Sequence, residues 1–203
     1  MRAGASVSDF VYRSIPGEAP TVVLLHGTGG DENDLVSLGQ MIAPGSALLG
    51  IRGKVLENGA PRFFRRLREG VFDLEDLRFR TNELADFLAR QAGPLVALGY
   101  SNGANIAASM LLLRPEALSA AILFRAMVPL TPDAPPDLTG KPVFMGTGQH
   151  DPIIPLESAE RLAGMLKEYG ADVTMKVVNA GHGLAKAEVE GARGWLGEVR
   201  KKL

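Results

Sequence analysis

Cysteine is absent from this chain of 203 residues. That excludes disulfides, a thiolate metal site and a cysteine nucleophile, and it fits a reducing compartment. No sign of charge prevails: 22 Lys and Arg stand against 23 Asp and Glu, a formal net charge of −1. Nothing in that balance calls for nucleic acid or an anionic membrane as partner. No run approaches the ~20 apolar residues of a membrane span. Met1 to Phe10 lacks the apolar core of a signal peptide. The expectation is a soluble cytoplasmic protein. Histidine is scarce as well, with only His26, His150 and His182 to supply an imidazole.

What is present reads as an α/β chain. Hydrophobic residues make up 46% of it and charged residues 22%, ordinary for one globular domain of this length, so the whole chain is taken as a single domain. Short apolar runs recur: Phe10 to Tyr12 weakly, then Val22 to Leu25, Ala47 to Ile51, Leu95 to Leu98, Ala120 to Phe124, Val143 to Met145 and Val173 to Val178. Most are continuous rather than alternating, as strands covered on both faces require. Between them lie helical stripes. Leu35, Leu38 and Ile42 form one, with Asp31, Glu32 and Asp34 near its start, where the helix dipole favours acids. Leu84, Phe87 and Leu88 form another, stopped at Gly93-Pro94; Ile106, Met110 and Leu113 precede Pro115; Ala159, Leu162, Leu166 and Tyr169 end at Gly170; a last helix spans about Leu184 to Glu198. An α/β fold with a mostly parallel central sheet and helices on both faces follows. Two stretches read as irregular loops, Arg52 to Val71 and the Pro-rich Pro129 to Pro136.

The most informative residues are Gly99-Tyr100-Ser101-Asn102-Gly103, placed between an apolar run and the small-residue stretch Ala104 to Ala108. Strand, sharp turn and helix with a serine at the apex make a G-x-S-x-G nucleophile elbow. A serine hydroxyl needs a base to take its proton and a carboxylate to orient that base. His182, in the Gly-flanked loop Asn179 to Gly183 after the last strand, is the candidate base. Asp151, in the loop after the penultimate strand, is the candidate carboxylate, with Asp133 and Asp137 as rivals one strand earlier. The oxyanion donors expected are the backbone N–H of Asn102 and that of Thr28, in the glycine-rich loop Leu25 to Gly30. That loop lacks the Lys-Ser/Thr of a P-loop and the third glycine of a dinucleotide fingerprint. His26 reads as a packing residue beside the site. The three histidines and Asp151 show no metal-ligand spacing, so neither metal nor cofactor is expected. Phe63, Phe64, Met127 and Arg125 are candidates for the wall of a substrate pocket. The arginine cluster Arg62, Arg65, Arg66 and Arg68 is interleaved with apolar residues and followed by acids, as in a solvated or pocket-facing arginine face.

Four motifs, Leu25 to Asp31, Gly99 to Gly103, Asp151 to Pro155 and Ala180-Gly181-His182, together resemble the phospholipase/carboxylesterase family, small lidless α/β-hydrolases that include acyl-protein thioesterases. The resemblance runs from about Val22 to the C-terminus. It implies Ser101 as nucleophile, Asp151 as orienting acid, His182 as base, and Thr28 and Asn102 as oxyanion donors. Asn102-Gly103-Ala104 after the serine, and Arg52 to Arg66, differ from the thioesterase branch. They are closer to a bacterial carboxylesterase subgroup, some of whose members are associated with hydroquinone metabolism. The function expected is hydrolysis of small or medium acyl esters through an acyl-enzyme. Thioester or lysophospholipid cleavage on the same residues stays open, as does a non-catalytic protein that holds a small aromatic, quinone-type ligand. The expected partner is a small-molecule ester; related folds often pair, so a homodimer is also open.

Overall fold

The computed structural model describes residues 10–203. In chain order, β1 (Tyr12–Ile15) and β2 (Glu18–Leu25) precede α1 (Val36–Ile42) and β3 (Ser46–Ile51). Two small hairpins follow, β4 (Val55–Glu57) with β5 (Ala60–Arg62), and β6 (Arg66–Arg68) with β7 (Val71–Phe72). Then come α2 (Leu74–Leu88), β8 (Leu95–Tyr100), α3 (Asn102–Leu113), β9 (Ala120–Phe124), β10 (Pro142–Gly148), α4 (Leu156–Glu168), β11 (Asp172–Val178) and α5 (Lys186–Val199). Seven strands make one sheet in the order β1-β3-β2-β8-β9-β10-β11, parallel throughout except for the antiparallel edge strand β1.

The continuous apolar runs have a simple cause: both sheet faces are covered. Val22, Leu24, Val96 and Leu98 turn toward Ile42 of α1 and Ala192 and Leu196 of α5. Their neighbours Val23, Leu25 and Ala97 turn the other way, toward Leu77 and Leu84 of α2, Ile106 and Leu111 of α3, and Leu162 of α4. Each such leucine or isoleucine removed from water contributes about 1.5–3 kcal/mol, so the sheet is fixed in register from both sides.

Three details differ from the sequence-based expectation. The first strand lies at Tyr12–Ile15 rather than at Phe10 to Tyr12, and Phe10 is instead a buried core residue stacked on Phe87 at 5.1 Å. The first helix begins at Val36 with no acid in its first turn. Asp31 is used in a turn, accepting from Asn33 N at 2.8 Å, and Glu32 pairs with Arg52. Arg52 to Val71 is not irregular: it forms the two hairpins, whose two- and three-residue strands are too short to show a period.

Strand order reverses between β2 and β8. The chain steps from β2 to β3 on one side and from β8 out to β11 on the other. Open α/β sheets hold ligands in the crevice outside the carboxyl ends of strands at such a point. Among the described residues no helix is long and apolar enough to cross a membrane.

Candidate functional site

The crevice is built from the loops that follow β2, β8, β9, β10 and β11. The turn after β8 is tight: Ser101 has φ 52° and ψ −113°, a strained conformation for a residue with a side chain. Both glycines of the motif are needed sterically. A Cβ at Gly99 would strike the backbone of Gly103 and Ala104, and one at Gly103 would overlap the Leu25 carbonyl. The turn thus closes onto the start of α3 and fits against β2 only without those two methyl groups, and it holds the serine above the sheet.

His182 Nε2 lies 3.0 Å from Ser101 Oγ, and His182 Nδ1 lies 2.7 Å from Asp151 Oδ2. With the ring proton on Nδ1, the imidazole donates to the carboxylate and accepts from the hydroxyl. The Asp151 side chain is fully buried. Its other oxygen accepts from Ile153 N at 2.8 Å and Ile154 N at 3.0 Å, so every side of it is partnered. The Tyr100 hydroxyl donates to the His182 carbonyl at 3.0 Å, and burial pushes that phenol's pKa up. A Cβ at Gly148 would overlap the Gly181 carbonyl, so β10 and the histidine loop meet only because residue 148 is glycine. The rival acids stand elsewhere: Asp133 is exposed beside Arg78, and Asp137 accepts from Thr139 N at 2.9 Å in its own turn. His150 is exposed.

Two unengaged donors border the serine. Asn102 is the first residue of α3, where a backbone N–H has no partner inside the helix. Thr28 N–H likewise has no partner among the described residues, while its neighbours Gly29 and Gly30 are bonded to Pro61 and Gly27. His26 fixes this loop from below. Its Nδ1–H donates to the Gly27 carbonyl at 2.6 Å, and its Nε2 accepts from Gly53 N at 3.0 Å. Burial holds its pKa below the ordinary histidine value, so the ring is a neutral strut between the loop and the hairpins.

Two recesses meet at Ser101. One, of about 40 Å³, is bordered by Thr28, Arg62, Arg66, Glu69, Phe72, Asn102, Asn105, Met127, Ile153 and Ile154. The other, of about 360 Å³, is bordered by Gly27, Thr28, Asp34, Arg66, Glu69, Tyr100, Ile153 and His182. Of the expected wall residues only Met127 lies here. Phe63, Phe64 and Arg125 need correcting. Phe63 is buried against the His26 ring at 4.8 Å, with its N–H bonded to Asn102 Oδ1 at 2.7 Å. Phe64 is buried edge-on against Phe72 at 4.9 Å. Arg125 is fully buried behind the histidine loop, where the distant Glu188 receives its charge. The cluster signal belongs instead to Arg62 and Arg66. Arg62 Nη1 donates to Thr28 Oγ1 at 2.7 Å, and burial lowers this guanidinium's pKa. Phe72 carries no sequence signal; Asn105 lies in the small-residue stretch after the elbow, and Ile153 and Ile154 lie in the Asp151 to Pro155 motif, but neither pattern marks them as pocket wall.

The model of the dienelactone hydrolase family matches residues 66–197. The chain belongs to the dienelactone hydrolase family. Members of this family are hydrolases, and the mostly parallel sheet flanked by helices is their fold. The protein named "Putative hydrolase MhqD" of Bacillus subtilis (strain 168) is 50% identical over 185 residues, 88% of this chain and 92% of that one. A carboxylesterase of Bacillus cereus superposes with a TM-score of 0.91 at 44% identity, covering 94% of this chain and 95% of its own. A carboxylesterase from Mesorhizobium loti superposes with a TM-score of 0.85 at 30% identity, covering 93% and 94%. Solved structures named as carboxylesterases thus match this chain over nearly its whole length.

Proposed function

We propose that this family member is a serine carboxylesterase for small or medium acyl esters. The observation that carries the reading is the unbroken relay from the Ser101 hydroxyl through His182 to Asp151, at 3.0 and 2.7 Å. Ser101 Oγ attacks the ester carbonyl carbon while its proton passes to His182 Nε2. The former carbonyl oxygen takes the negative charge and rests on the N–H groups of Thr28 and Asn102. The tetrahedral intermediate collapses, and the imidazolium gives its proton to the departing alkoxide oxygen. Water then attacks the acyl-enzyme with the same proton traffic, and the acid leaves. His182 borders only the larger recess, so the leaving alcohol lies there and the acyl group lies against Met127, Phe72 and Asn105 in the smaller one. The cysteine-free composition fits a reducing cytoplasm, where we place the protein.

Replacing Ser101→Ala is expected to lower p-nitrophenyl butyrate turnover by about 10⁵-fold or more and to abolish covalent labelling by a fluorophosphonate, with the thermal melt unchanged. Labelling that survives in Ser101→Ala, or a wild-type protein that never labels, refutes the reading. The second outcome would instead favour a protein that binds its ligand without turnover.

A further inference from the structure

Behind the imidazole lies a buried charge pair that none of these steps uses. Arg125 follows β9 with a left-handed backbone, φ 59°. Its side chain and that of Glu188 are both completely buried. The guanidinium is spent in all directions. Nε donates to the Gly181 carbonyl at 3.1 Å, Nη2 to the Gly183 carbonyl, and Nη1 to the Gly146 carbonyl at 3.2 Å. Nη1 and Nη2 also grip the two oxygens of Glu188 at 2.7 Å each. Nε stands 3.8 Å from Asp151 Oδ2, the oxygen that receives His182. Glu188 in turn accepts from Ala185 N at 2.7 Å and so caps the first turn of α5.

We propose that Arg125, held by Glu188, is the positioning residue of the Ser101–His182–Asp151 relay. It clasps the carbonyls on either side of His182, and its charge stands 3.8 Å from the carboxylate oxygen that receives the imidazole. The proposal rests on the serine-hydrolase reading above. Stability alone is a poor reason for such a pair, since well-packed apolar residues commonly replace buried ion pairs without loss. What apolar side chains cannot do is donate to both residue 181 and residue 183. A lysine lacks the planar fork that reaches them together with a carboxylate. Charge matters as well. His182 faces Asp151 from the loop after β10, Arg125 from the end of β9, Glu188 from α5 and the Tyr100 hydroxyl of β8, with Asp34, Arg66 and Glu69 across the larger recess. The cleft residues are screened by solvent, whereas Arg125 and Glu188 are not. Glu188 offsets part of the guanidinium's charge, and removing Glu188's charge leaves the guanidinium unbalanced beside the carboxylate that holds His182.

The test is the pH dependence of fluorophosphonate labelling and of p-nitrophenyl acetate hydrolysis in the intact chain. In Glu188→Gln the uncompensated guanidinium opposes the imidazolium, so the acidic midpoint of kcat/KM moves down by about half a pH unit or more. In Arg125→Lys the charge stays and the fork is lost. There the midpoint holds, and kcat falls about tenfold to a hundredfold with KM little changed. The double variant Arg125→Met/Glu188→Met removes both charges and the fork, and its kcat falls below that of Arg125→Lys. An unmoved midpoint in Glu188→Gln overturns the proposal, as does a wild-type kcat in Arg125→Lys or in the double variant. Labelling of the wild type at Ser101 separates the two readings. If the wild type labels and the variants behave as wild type, only the role of Arg125 falls; if it does not label, the hydrolase reading falls first.

Discussion

On the side of the cleft that carries His182, charge is buried and completely partnered. On the side formed by the two hairpins it is abundant and, the buried Arg62 apart, reaches solvent. Behind His182, Arg125, Glu188 and Asp151 have no exposed side-chain surface, and each oxygen or N–H has a stated acceptor or donor. Across the cleft, Arg66 pairs with Glu57 at 2.6 Å and with Glu69, but its side chain is 24% exposed, and Arg65, beside Asp73, is 61% exposed. The difference sets what each side can tolerate. A buried ion that loses its partner cannot recover water, whereas an exposed one can. The first side therefore fixes the geometry of the Ser101–His182–Asp151 hydrogen bonds. The second can be rewritten at small cost, and substrate preference is cheapest to adjust there.

The sharpest way to break this contrast is Asp151→Asn. It keeps the shape of the buried side and removes the charge that selects the imidazole tautomer. We expect kcat to fall about 10⁴-fold with the fold intact, read from ester turnover and a thermal melt. A loss under tenfold would mean that the buried side does not govern the chemistry. Next is Arg125→Met, which strands Glu188 in the interior. It should cost about 3–5 kcal/mol in urea unfolding, and a cost near zero would erase the distinction between the two sides. A smaller effect comes from acid. His26 titrates below the ordinary range when folded because it is buried, so the unfolded chain takes up its proton first. Stability is full above about pH 6.5 and falls as pH drops from there through the lowered folded value. Urea midpoints measured at about pH 7 and about pH 5.5 should differ less in His26→Gln than in wild type. The smallest effect belongs to the exposed side: Arg66→Met should change stability by under about 1 kcal/mol, with any change in kinetics appearing mainly in KM.

Much of the fold was readable because burial on both sheet faces writes itself as unbroken apolar runs, as at Val22 to Leu25 and Ala120 to Phe124. The elbow was readable because its backbone needs glycine at 99 and 103. Three kinds of feature were not. Strands of two or three residues, such as Val71–Phe72, are shorter than any period. Helix α1 starts late because Asp31 prefers to bond the backbone of Asn33, a local choice that competes with helix nucleation. Arg125 resembles a surface or pocket residue until its partner is known, and that partner lies 63 positions further along. Phe63 and Phe64 misled for a related reason: an aromatic pair beside arginines looks like a ligand wall, but both rings face inward while Arg62 and Arg66 face the serine.

Glu188 closes the first turn of α5 and, through one guanidinium, holds the segment that bears the imidazole. The last helix and the histidine loop consequently share one fastening, the Arg125 guanidinium. If heating loosens that helix from the sheet before the strands part, esterase turnover fails while the circular dichroism of the sheet is still native, and lost activity becomes the earliest sign of damage to the molecule.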